Sequence, residues 1–343
     1  LKDAFGRTKF PPKVPVWKDH FSFDGSIVLK LPTGRYTFEM ERGPEYQIRN
    51  GHFEISRDAE GLEHVTMRRF VDMKDEGWWS GDLHVHRPPA DMPLLMRAQD
   101  LHVAPVITWW NDTTAWKNTP PPADPLTRLE GDYFYRVLAG EDERGGGALL
   151  YFNLKKPLDL PNRRNAEYPP MERFLEQAKR DPGVHVDIEK PFWWNVPIWL
   201  AMGMCDSIGL ANNHMLRDGM LESEAWGKSR DTTLYPPPRG NGLWSQDIYY
   251  HILNTGLRVP PSAGSASGVL NNPVGYNRVY VQCPNGFSWD AWWEGLRAGR
   301  VMVTNGPMLR PRVNGQFPGH VFRGRAGESI SLVTNLNLSL RTA

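Results

Sequence analysis

The sequence predicts an α/β protein flanked by β-rich regions. Three observations lead there. Between Gly77 and about residue 300, apolar strand-like runs alternate with helical stretches, the order expected of a domain built on parallel strands, open to closure as a distorted barrel. Before Gly77, apolar and polar residues alternate between turn signals. After Val301 the chain returns to strand-and-turn character. The 343 residues allow a large core and more than one domain. The expected division is 1–76, an N-terminal β-sandwich-like domain; 77–300, the α/β domain; and 301–343, a β region that the ending ESISLVTNLNLSLRTA marks as incomplete.

The elements can be justified in chain order. GSIVLKLPTGRYTFEMERG alternates around a Pro-Thr-Gly turn, and GHFEISRD and EHVTMRRFVDM continue the pattern. DLHVHR reads as a short strand. PADMPLLMRAQDLH reads as a helix with Pro93, Leu94, Leu95, Ala98 and Leu101 on its apolar side. VAPVITWWN, FYRVLAGEDERG and GALLYFNL are strand candidates, and MERFLEQAKRDPG is a helix stopped at Asp-Pro-Gly. VHVDIEKP and DSIGLANN are strands around a helical NVPIWLAMGM, and WSQDIYYHILNTG is a helix with a glycine stop. Proline-rich NTPPPADP and YPPPRGNG read as surface loops of the kind that border active sites.

Charge is balanced, with 40 Lys and Arg against 39 Asp and Glu, and no basic block stands out, so nucleic acid and anionic membranes are not the expected partners. No apolar run approaches the roughly 18–20 residues that span a bilayer. Cys205 and Cys283 have no metal-binding spacing and read as two buried thiols, with a disulfide between them as the alternative. The start at Leu1 gives the expectation of a removed leader or a fragment, and with the β-rich flanks, of export. Trp, at 14, outnumbers Tyr, at 11, and four Trp-Trp pairs occur. Core packing is one reading of them. The other is a cleft walled by Trp109, Trp110, Trp193 and Trp194, suited to a small-molecule or glycan-like substrate.

Four clusters can carry chemistry. Strand geometry puts His84 and His86 on one face, with Asp82 placed to orient a histidine. His185, Asp187 and Glu189 share a face in the same way, opposite Val184, Val186 and Ile188. Glu141, Asp142 and Glu143 follow an apolar strand, where α/β proteins present ligands. His214 follows another strand. Each cluster also has a structural reading, as a solvated strand face or a core histidine. No phosphate loop, dinucleotide fingerprint or HExxH helix occurs, and GSASG carries Ala266 where a nucleophilic serine would stand.

GWWSGDLHVHR resembles the opening motif of PHP-type metallohydrolases, most of all the CehA/McbA-like branch. The resemblance covers roughly residues 77–306 and includes LNTGLRVPPSAGSASG and GRVMVTNGPML. It implies a distorted (β/α)7-type barrel that hydrolyses ester, carbamate or phosphoester bonds with divalent metal. Thr108-Trp109-Trp110-Asn111 replaces the family's Thr-Asp-His-Asn, Ser265-Ala266-Ser267-Gly268 replaces Ser-Asp-x-His, Gly147-Ala148 replaces Gly-His, and Glu189 stands where a histidine is usual. What survives implies one ion on His84, His86, one of Glu141 or Asp142, and Glu189, with His185 and His214 as additions. Zn²⁺ is the first expectation, with Mn²⁺ or Fe²⁺ next, and Asp187 would be the general base. The alternative is an inactive PHP-like protein that binds a glycan or aromatic ligand in the tryptophan groove.

Overall fold

Glycine-poor runs of β-branched and aromatic residues between Trp78 and Thr304 form one large sheet. The computed structural model describes residues 1–3, 13–57, 61–164 and 168–341. At the N-terminus, β1 (Gly34–Met40) and β2 (Arg49–Ile55) form an antiparallel sheet with Lys2–Asp3, beside a short Val16–Trp17/His20–Phe21 hairpin. Where a sandwich was expected, the described residues give this single three-stranded sheet and hairpin. EHVTMRRFVDM forms no strand; its Arg69 makes an isolated antiparallel bridge with Tyr46, in the connection between β1 and β2.

The central sheet contains β3 (Trp78–Gly81), β4 (Val103–Trp110), β5 (Leu126–Leu129), β6 (Tyr133–Arg144), β7 (Gly147–Phe152), β8 (His185–Ile188), β9 (Ser207–Ala211), β10 (Pro261–Ala263), β11 (Arg278–Gln282) and β12 (Val301–Thr304). The strand order is β10-β9-β8-β7-β6-β4-β3-β11-β12, with β5 paired to β6 and Thr113–Thr114 paired to β4. Residues 82–87, continuing from β3, nearly close it. Toward β4, Asp82 N–H donates to Val103 O at 3.1 Å and Ile107 N–H to Val85 O at 2.8 Å. On the other side, Leu83 N–H donates to Ala263 O at 3.0 Å and His86 N–H to Ser267 O at 2.8 Å.

The result is a mixed, strand-dominated α/β barrel-like sheet. Uniform parallel alternation fails after Arg144. Gly145-Gly146 closes a hairpin, so β6 and β7 are antiparallel with no helix between them. The β7–β8, β3–β11 and β11–β12 pairs are antiparallel too, whereas β3–β4, β4–β6, β8–β9 and β9–β10 are parallel.

Five α-helices occur among the described residues: α1 (Met92–Gln99), α2 (Met171–Ala178), α3 (Val196–Ala201), α4 (Gly240–Asn254) and α5 (Trp289–Arg297). Helix α2 buries Met171, Phe174, Leu175 and Ala178, the i, i+3, i+4, i+7 stripe its sequence displays. At about 1.5–3 kcal/mol for each large apolar side chain, that stripe fixes the helix to the sheet. Helix α1 buries Met92, Leu95 and Met96, a face shifted from the expected one. Helix α4 begins four residues before Trp244, inside the expected loop. Helix α5 was not anticipated; Ser288 Oγ caps it by accepting from Ala291 N–H at 3.1 Å.

Beyond the barrel, β13 (Met308–Val313) and β14 (Thr334–Ser339) form an antiparallel hairpin. Both cysteines are free; Cys283 is buried and Cys205 partly so. No helix among the described residues is long and apolar enough to cross a membrane.

Candidate metal centre

The segment after β3 and the middle of β6 bring three donors together. His84 Nε2 lies 3.0 Å from His86 Nε2. Glu141 Oε2 lies 3.1 Å from His86 Nε2 and 3.5 Å from His84 Nε2. His84 and Glu141 are buried and His86 nearly so. Glu141 Oε2 is sealed from solvent yet receives no aligned hydrogen bond, a costly state for a carboxylate. One proton can bridge one edge of this triangle; a cation satisfies all three corners. A tetrahedral Zn²⁺ about 2.0–2.2 Å from each donor sets donors roughly 3.3–3.5 Å apart, close to the observed edges. This buried group can therefore hold a metal ion.

The supports are local. Asp82 does not orient a histidine ring. Its Oδ1 accepts from the backbone N–H groups of His84 and Ser265, both at 3.0 Å, and its Oδ2 from Gly275 N–H at 2.7 Å. It thus fixes the backbone that carries His84. Asn111 adopts the left-handed region at φ 50°. Its N–H donates to Glu141 O at 2.9 Å and its Oδ1 accepts from Glu143 N–H at 3.3 Å, holding β6 at the donor residue.

Burial alone would depress the His84 pKa, but the charges of Glu141 and Glu189 outweigh it and raise it. Burial opposes ionisation of Glu141, yet His84 and His86 hold its pKa well below the usual carboxylate range. Glu143 is pushed up to about 8, first by burial and then by the charges of Glu141 and Glu189.

Adjacent acids on a strand face opposite ways, and this separates Glu141 from Asp142. Asp142 turns to Arg144, which donates from Nε at 2.7 Å and from Nη2 at 2.8 Å, and to Asn111 Nδ2 at 3.1 Å. It does not join the triangle. Glu189 borders it, with Oε1 3.5 Å from His84 Nδ1. Both Glu189 oxygens are engaged, Oε1 by Lys190 Nζ and Oε2 by Trp193 Nε1 at 3.1 Å.

Asp187 and His185 belong to a separate network. Asp187 Oδ1 accepts from Ser207 Oγ, and from Ser262 Oγ at 2.5 Å. Burial pushes the Asp187 carboxyl up to about 7 despite these bonds. It faces a small buried cavity shared with His84, Glu189, Asn212 and Asn213 rather than the ring edges of the histidine pair. His185 Nε2 lies 2.7 Å from Ser207 Oγ, and its ring sits against Trp293 at 4.9 Å and Phe152 at 6.1 Å. Burial pushes its pKa down to about 3, keeping it neutral. His214 packs 5.4 Å from the Phe192 ring, with Nδ1 3.4 Å from Asn241 Nδ2. Neither histidine joins the donor group among the described residues.

The tryptophans divide. Trp109 and Trp193 are each 2% exposed. A Cβ on Gly140 would lie 1.8 Å from Trp109 Cε2, so β6 needs glycine there for the indole to pack. Trp110 lines the metal group, its ring 5.2 Å from that of His86 and 5.8 Å from the Arg163 guanidinium. Trp194 is exposed, its Nε1 donating to Trp226 O at 2.9 Å. A cleft walled by all four does not form. Sequence reasoning missed Lys190 and Asn111 as parts of the site. The signal for Lys190 was present: a lysine directly after a strand of alternating ionisable groups and just before an apolar PFWW.

No family model, curated protein or solved structure matches the chain.

Proposed function

We propose that the protein is a metal-dependent hydrolase of the PHP type, related to the CehA/McbA-like branch, cleaving an ester, carbamate or phosphoester bond in a small-molecule or glycan-like substrate. One divalent ion would be held by His84, His86 and Glu141, with Zn²⁺ favoured by the two-imidazole, one-carboxylate donor set and Mn²⁺ or Fe²⁺ as alternatives. The observation that carries this reading is the buried triangle of donors with its unsatisfied carboxylate oxygen. The GDLHVH motif supports the family, and the nearly closed sheet supplies a barrel-like frame for the site, though with more antiparallel pairs than a (β/α)7-type barrel has.

When bound, the ion would supply Lewis acidity toward a carbonyl or phosphoryl oxygen and activation of water. The chain's own residues do the rest. Asp82 fixes the histidine backbone, Glu141 stays ionised, and Trp110 offers an aromatic face beside His86. Asp187, hydrogen-bonded to two serines and facing the inner cavity, is assigned a structural role in this reading instead of that of general base.

The test is turnover of a panel of aryl esters, carbamates and phosphoesters by protein loaded with Zn²⁺, Mn²⁺ or Fe²⁺, before and after chelation. Turnover that disappears on chelation and returns with one of the ions supports the reading. A metal-loaded protein inert on all three bond classes contradicts it.

A further inference from the structure

Lys190 is only 3% exposed, a rare state for lysine unless its charge is paired. Its Nζ is bonded to Glu189 Oε1, the oxygen that lies 3.5 Å from His84 Nδ1. The same Nζ stands 4.7 Å from the centroid of the Trp193 ring, whose indole N–H donates to the other Glu189 oxygen at 3.1 Å. Carboxylate and aromatic face together cradle the cation. Its field reaches His84, Glu143 and His214.

Acidic groups gather beside the first site. Glu189 borders the donor triangle, Asp187 lines the same small cavity as Glu189 and His84, and Glu143 shares the strand face of Glu141. In two-metal hydrolytic sites the ions stand about 3.5–4 Å apart and share such carboxylates. Here Glu189, the acid that borders the first site, is already bound by an ammonium, and a divalent ion arriving there would face like-charge repulsion in a buried setting.

We propose that Lys190 is a built-in cation that occupies the place of a second metal ion and restricts the centre to one. This rests on the metal reading above and adds the count and its cause. Lys190 is thereby a positioning residue: it holds Glu189 away from metal and fixes the site's charge.

The experiment counts ions and asks whether they are neighbours. Wild type, Lys190→Gln, Lys190→Met and Lys190→Arg are saturated with Mn²⁺, freed of excess by gel filtration, and measured by elemental analysis and electron paramagnetic resonance. Wild type and Lys190→Arg should hold one ion with an uncoupled Mn²⁺ spectrum. Lys190→Gln and Lys190→Met should hold two, with the spectrum of an exchange-coupled pair. Lys190→Gln keeps a hydrogen-bond donor for Glu189, so it carries the test if the Met variant fails to melt cooperatively. Titration of the unaltered protein with millimolar Mn²⁺ needs no variant: a mononuclear spectrum throughout supports the proposal, and a coupled pair overturns it. One ion in wild type and in both neutral variants overturns this proposal alone. No ion in wild type contradicts the metal reading itself and this proposal with it.

Discussion

Two strands of this protein carry nearly the same text and come to different ends. Residues 82–87 place His84 and His86 around Val85, and β8 places His185 and Asp187 around Val186. On the first, β6, one strand removed beyond β4, contributes Glu141, a carboxylate whose oxygen finds no aligned donor. On the second, adjacent β9 contributes Ser207 and β10 beyond it Ser262, whose hydroxyls satisfy Asp187, while Phe152 and Trp293 enclose His185. Parity along a strand tells which side chains share a face. The side chains that other strands bring to that face decide whether it is a metal centre or a satisfied polar core.

Substitutions should break the first network and leave its function intact when made in the second. The largest effect is expected at Glu141. Glu141→Gln should weaken metal binding by more than the roughly 10–100-fold typical of an outer-shell partner, measured by competition with a fluorescent chelator, and should abolish turnover. Asp187→Asn should leave metal content unchanged and act on stability. Burial raises the Asp187 pKa in the folded state to about 7, so between the ordinary carboxylate range and about pH 7 the folded protein holds a proton that the unfolded chain has lost. Stability contributed at this position is therefore lost as pH rises through that window. Asp187→Asn should stabilise at pH 8 by up to on the order of 4 kcal/mol and by little at pH 4, read from denaturant unfolding at both pH values.

His185→Ala sharpens the contrast further. It opens a void between Phe152 and Trp293 and should cost about 3 kcal/mol, with one ion still bound. Loss of the ion would place His185 in the metal centre after all. The smallest effect is expected at Trp110. Trp110→Ala removes an aromatic face beside His86 and should raise KM several-fold, about 1 kcal/mol of stacking, while kcat and metal content hold.

Much of the fold could be read from residue spacing. Helix α2 announced itself through Met171, Phe174, Leu175 and Ala178. Helix α5 did not, because WDAWWEGLR is short and mixes charged residues with its tryptophans, whereas in the fold Trp289, Trp292 and Trp293 are all buried. The strands on either side of Gly145-Gly146 were legible, but the assumption of parallel alternation hid the hairpin that the two glycines form. At the site, the histidine pair was visible in six residues of text. The choice between Glu141 and Asp142 was not, since it depends on which face of β6 meets residues 82–87. Lys190 stayed out of view because a lysine reads as surface until a buried carboxylate and an indole are shown around it.

The most direct test of the account is elemental analysis of protein purified without a histidine tag or chelator, wild type beside His84→Ala/His86→Ala, with folding of both checked by circular dichroism. About one divalent ion per wild-type chain and none in the folded double variant is the expected result. A wild type without metal after incubation with Zn²⁺, Mn²⁺ and Fe²⁺, or a double variant that retains its ion, would contradict it.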